Sequence, residues 1–123
     1  MRASEGQAMV EFVIVLPLFV TLVFVLVQLG ITFNNYLRVT DIARVSARAA
    51  AVARFHGTSA CAAASAAASA AANGLPIQVS CSGQGGPGDS FSVTVRSDWS
   101  VSLPLLPWSA DGVLTSRATE RLE

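Results

Sequence analysis

The chain has 123 residues, 52% of them apolar, with a formal net charge of zero, which is room for one small domain. All eight basic residues are Arg, set against eight scattered acids, so there is no basic stripe of the kind that follows a nucleic-acid backbone, and no nucleic-acid partner is expected. One His and two Cys cannot assemble a nucleophile–base pair or a metal cage, so no enzyme activity, cofactor or metal is expected.

A short polar leader, Met1 to Gly6, opens the chain. From Phe12 to Leu37 no residue is charged, and Val13 to Val27 is nearly all Val, Leu, Ile and Phe. At about 1.5 Å per residue such a helix exceeds the roughly 30 Å of bilayer hydrocarbon, so a transmembrane anchor is predicted over residues 7–33. The competing reading is a cleaved secretory signal, whose apolar core runs about 7–15 residues before a small-x-small site. The run here is longer, and Gln28-Leu29-Gly30-Ile31-Thr32 is a poor cleavage sequence, which favours a retained anchor. Pro17 falls inside it and removes one backbone donor, predicting a helix kink that a membrane helix tolerates when neighbours satisfy the freed carbonyl.

No Gly or Pro interrupts Ile31 to His56, so the anchor is expected to continue as an amphipathic helix. On a 3.6-residue wheel Val39, Ile42, Ala43, Ala50 and Ala53 share one face, while Arg38, Asp41, Arg44 and Arg48 gather on another, a solvated face with weak Arg–Asp pairing. Gly57-Thr58-Ser59 breaks the rod and offers Thr58 or Ser59 as a cap. Ala60 to Ala72 is almost all Ala and predicts a second helix, stopped by Asn73-Gly74-Leu75-Pro76.

After Pro76 the period changes to that of strands. Ile77 to Cys81 is short, and Phe91, Val93 and Val95 alternate with polar residues before Trp99 and Val101 continue the pattern. Ser82 to Gly88 reads as a flexible Gly-rich loop, without the Lys-Ser/Thr of a phosphate loop. Leu103 to Trp108 carries two prolines and reads as a connection with apolar plugs, after which Val113 to Leu122 returns as a strand. The fold class expected is α+β: a long N-terminal transmembrane helix continuing into an amphipathic helix, then an Ala-rich helix and a small antiparallel sheet. Cys61 and Cys81 lie on one side of the membrane and close a loop of about 20 residues, and a disulfide there stabilises by roughly 3 kcal/mol in the chain-entropy model. Adding His56 gives three metal-capable groups, but at no zinc-binding spacing, so the disulfide is preferred.

Gly6-Gln7 followed by Glu11, the fifth residue after the glycine, at the mouth of an apolar helix, resembles the type IV prepilin processing signal. More narrowly, Gly6-Gln7-Ala8-Met9-Val10-Glu11-Phe12-Val13-Ile14-Val15-Leu16-Pro17 resembles the opening of TadE-like proteins, pseudopilin-type components of tight-adherence (Tad/Flp) pili. The likeness extends less sharply to Asn35 through Ala53 and to Leu114 through Arg121. It implies a leader over residues 1–6 cut between Gly6 and Gln7 by a prepilin peptidase, a retained assembly carboxylate at Glu11, an anchor over 7–33, and an extracytoplasmic α+β domain over 34–123. The partners implied are the lipid bilayer of the cytoplasmic (inner) membrane, the peptidase, and other Tad pilins, pseudopilins and pilus assembly machinery. The function implied is a structural subunit in pilus biogenesis and surface adhesion. The alternative is a permanently anchored envelope-accessory or ligand-binding protein outside any pilus. Loop charge pulls against the implied orientation, because Arg38, Arg44, Arg48 and Arg54 follow the anchor and only Arg2 and the terminal amine precede it.

Overall fold

A computed structural model describes residues 3–53, 58–83, 88–102 and 107–121. Its first element, α1 (Ala3–Val52), is an uninterrupted helix of 50 residues, about 75 Å long at 1.5 Å per residue. Pro17 sits inside it, where its ring nitrogen leaves the Val13 carbonyl without the usual donor. The hydroxyls of Thr21 and Thr32 donate back to the carbonyls of Pro17 at 2.8 Å and Gln28 at 2.9 Å. Both hydroxyls are thereby satisfied without water.

The C-terminal half of α1 buries a stripe of Val39, Ile42, Ala43, Ser46, Ala47 and Ala50, continued by Ala53 just past its end, while Arg38, Asp41, Arg44 and Arg48 stay exposed. The expected apolar face is therefore the buried one, widened by Ala47 and by Ser46. The Ser46 hydroxyl is tolerated there because it donates to the Ile42 carbonyl at 2.6 Å.

Against this stripe lies α2 (Ala60–Ala72), the span expected from the sequence. Ser59 caps it, its Oγ accepting from the Ala62 N–H at 3.3 Å. Asn73 ends it in the left-handed conformation (φ 47°), and the Leu75 N–H returns to the Ala72 carbonyl at 3.0 Å. Ala64, Ala68 and Ala72, one per turn, form its buried face. Alanines on both helices let the backbones approach closely, but each contributes little area, so burial alone stabilises α2 weakly. Cys61 and Cys81 stand at disulfide distance, Cα–Cα 5.9 Å, and tie α2 to the first strand.

Three strands, β1 (Gln78–Ser82), β2 (Ser90–Ser102) and β3 (Ser109–Arg121), form an antiparallel sheet in that order. Phe91, Val93 and Val95 face inward and complete the core with the two helices. On the outer face Ser92 and Thr119, directly opposed, share a hydrogen bond of 2.8 Å. The Ser97 hydroxyl donates to the Pro76 carbonyl at 2.9 Å, fastening β2 to the segment before β1. No buried side-chain polar atom among the described residues lacks a partner.

The sequence reading starts the last strand at Val113, whereas β3 begins at Ser109. Asp111-Gly112 has the composition of a turn, but Asp111 points outward and Gly112 faces Trp99 across the ladder. A Cβ on Gly112 would lie 2.6 Å from the Trp99 indole nitrogen. The glycine is thus the space into which the ring folds, and the strand runs through it.

Candidate functional site

Only the C-terminal half of α1 has a domain packed on it along its whole length. None of its most apolar 18-residue window is buried within the protein, and Met9, Phe12, Ile14 and Leu18 are between 64% and 72% exposed. An apolar surface of this extent exceeds what a soluble monomer presents to water and calls for an apolar surrounding. The helix is long and apolar enough to cross a membrane.

Glu11 sits on this helix at the N-terminal edge of the charge-free run, with its side chain exposed. Arg38 is the next charged residue along the chain, about 40 Å further along the axis at 1.5 Å per residue. Along α1, no described cation downstream in the same protomer can therefore compensate Glu11. Gln7 lies four residues before it, one turn up on the same face, whereas Gly6 is turned well away from that line.

Among the described residues Gly6 meets nothing beyond its own stretch of helix: a Cβ built on it would have no other atom within 4 Å. A helix-interior glycine is disfavoured by about 1 kcal/mol relative to Ala, and packing in the protomer offers no reason for it. Together with Met9, Val10, Val13 and Ile14 it lines a shallow apolar trough on the helix surface. Pro17 lies further down the same exposed rod. The proposed processing, assembly and kink positions thus share the bare half of α1, apart from the folded domain that holds Cys61 and Cys81.

Two further concavities separate α1 from the sheet. A polar groove lies between Thr40, Asp41, Arg44 and Arg48 of α1 and Arg117 and Glu120 of β3. Nearer the N-terminus, Val25, Gln28, Leu29 and Thr32 face Trp99, Val101, Trp108 and Ala110 across an almost wholly apolar cleft of about 160 Å³. The sequence reading noted Trp99 and Val101 as strand positions but assigned the cleft no role. Its one visible signal was two tryptophans flanking a proline-containing connection, of which residues 103–106 lie outside the described residues. His56 also lies outside them, and among the described residues no three His, Cys, Asp or Glu side chains gather.

Compared with known families, residues 6–48 match the one described as TadE-like protein. This segment is similar to TadE-like proteins. The match begins at the unpacked glycine, takes in Glu11, Pro17 and the exposed apolar helix, and ends four residues before α1 does. α2, the disulfide and the sheet lie outside it. No curated protein and no solved structure matches the chain.

Proposed function

We propose that this chain is a TadE-like, pilin-like, membrane-anchored structural subunit associated with a Tad pilus and without catalytic activity. The observation that carries the reading is Gly6-Gln7 followed by Glu11 on a helix whose N-terminal half leaves its apolar surface exposed, inside the segment that matches TadE-like proteins. A prepilin peptidase cuts between Gly6 and Gln7, leaving an α-amino group one turn from Glu11. That amine, on an adjoining protomer, supplies the cation the anchor otherwise lacks, and the attraction is strong in the low dielectric beside lipid.

The α+β domain lies outside the cytoplasmic membrane. A peptidase site on the cytoplasmic side requires this orientation, and the Cys61–Cys81 pair suits an oxidising compartment. The four arginines after the anchor favour the reverse by charge count, but three of them, Arg38, Arg44 and Arg48, are on the exposed face of a folded helix. The second reading, a permanent anchor for a ligand-binding domain, draws on the polar groove between α1 and β3.

Affinity purification of the tagged full-length chain from detergent-solubilised cells separates the two. Tad pilins, pseudopilins or assembly proteins are expected to co-purify in amounts comparable to the bait. Recovery of the chain free of all of them, in cells that make pili, would reject the proposal.

A further inference from the structure

We infer that the end of the β2–β3 ribbon, carrying Trp99 and Trp108, is a second membrane-contacting element, immersed in the interface of the leaflet on the domain's side, with lipid acyl chain filling its cleft against α1. The inference rests on α1 spanning a bilayer, and it follows from where along α1 the ribbon lies.

The charge-free stretch from Phe12 to Leu37 has 26 residues, about 39 Å of helix, against roughly 30 Å of hydrocarbon. A slab that excludes both Glu11 and Arg38 can slide by only about six residues at 1.5 Å each, so about residues 18 to 31 lie in hydrocarbon wherever it rests. Val25, Gln28 and Leu29 fall inside that range, and these residues form the helical wall of the cleft. Whatever faces them stands at acyl-chain depth.

The opposite wall is suited to that depth. Beyond Arg96 the ladder from β1 ends, and Ser97 to Ser102 pair with β3 alone, so a two-stranded ribbon projects past the three-stranded sheet. Ala118 of β3 is level with Thr40 to Arg48, whereas Ala110 is level with Val25 to Thr32, so the ribbon runs along the helix toward the anchor. Its inner face there is Trp99, Val101 and Ala110, and Trp108 beside them is 58% exposed. Tryptophan is the side chain that bilayer interfaces favour, because its ring is amphipathic.

Immersion is shallow. Asp98, Ser100 and Asp111 are exposed on the ribbon's outer face, and a two-stranded ribbon has free backbone edges that hydrocarbon does not satisfy. Placing Glu11 at one hydrocarbon boundary puts the other near Ile31, so Val25 lies about 9 Å below it, comparable to the depth reached by interfacial amphipathic helices. Tilt of an over-long anchor toward the ribbon brings the two together.

Trp99 and Trp108 are the two tryptophans of the chain, so intrinsic fluorescence reads the proposal directly. The full-length chain is reconstituted in phosphatidylethanolamine–phosphatidylglycerol vesicles whose lipids are brominated either near the headgroup or near the chain terminus. Emission is expected to be blue-shifted, with quenching about twofold stronger from the shallow bromines, as befits an interfacial ring. The Trp99→Phe variant reads Trp108 alone. A Leu22→Trp probe in a Trp99→Phe/Trp108→Phe background reports the anchor and is expected to show the reverse order.

Water-like emission from the native tryptophans, unquenched by either lipid while the Leu22→Trp probe is quenched from depth, would overturn the proposal and leave the anchor standing. Blue-shifted but unquenched emission that changes with protein density would overturn it in favour of a second copy covering the cleft. An unquenched Leu22→Trp probe would remove the spanning helix itself and the proposal with it.

Discussion

Replacing Glu11 by Gln is expected to leave the chain in the membrane at its normal level while reducing its recovery with pilus components by about a hundredfold or more. Insertion does not suffer, since a carboxylate within a spanning helix costs about 2.5–3.5 kcal/mol at mid-bilayer and less toward the interface, and the amide removes that charge. Assembly suffers because the amine at Gln7, once exposed by cleavage, is left in low dielectric without its counter-charge. Breaking a buried pair by removing one partner costs about 3–5 kcal/mol, and each 1.4 kcal/mol is a tenfold change in partition. Glu11→Asp keeps the charge on a shorter arm and is expected to retain part of the association. Quantitative immunoblotting of membranes and of the purified assembly reads both effects. Equal recovery of the Gln variant would show that Glu11 is only an interfacial carboxylate.

Changing Cys61 and Cys81 together to Ser is expected to free α2 while leaving the β2–β3 ladder in place. The bond closes a separation of 20 residues, and the chain-entropy model gives such a loop roughly 3 kcal/mol. The loss falls on α2, whose buried side chains are three alanines. A buried Val contributes about 1.5 kcal/mol or more and an Ala far less, so without the bond little besides capping and helix propensity holds the segment. For a domain of this size the melting temperature should fall by about 10–25 °C. Amide exchange should speed up across Ala60–Ala72 and hardly at all in β2, where Val93 and Val95 are fully buried. Unchanged protection of α2 would show that alanine packing suffices.

What the sequence made legible tracks how local each signal is. α2 has the bounds expected, because Ser59 and Asn73-Gly74 are terminators that act within a turn of the helix they end. The buried stripe of α1 followed from period, except for Ala47, which the expected face left out, and Ser46, whose backbone bond hides its polarity from any pattern of apolar residues. β3 was foreseen four residues short, since Asp111-Gly112 has the composition of a turn and only its register with Trp99 shows why glycine suits a strand there. Gly6 and Glu11 stood out through their resemblance to a prepilin processing signal at the head of an apolar run, and their roles are part of the proposal. The cleft was not, because it depends on how far a ribbon from residues 99–110 reaches along a helix formed by residues 25–32, and no local pattern encodes that alignment.

N-terminal sequencing of the chain recovered from cells that hold the prepilin peptidase decides whether the anchor is handled as a pilin helix. A mature chain that starts at Gln7, and that keeps Met1 when the peptidase is deleted, is the expected result. A chain that starts at Met1 in both strains would contradict it.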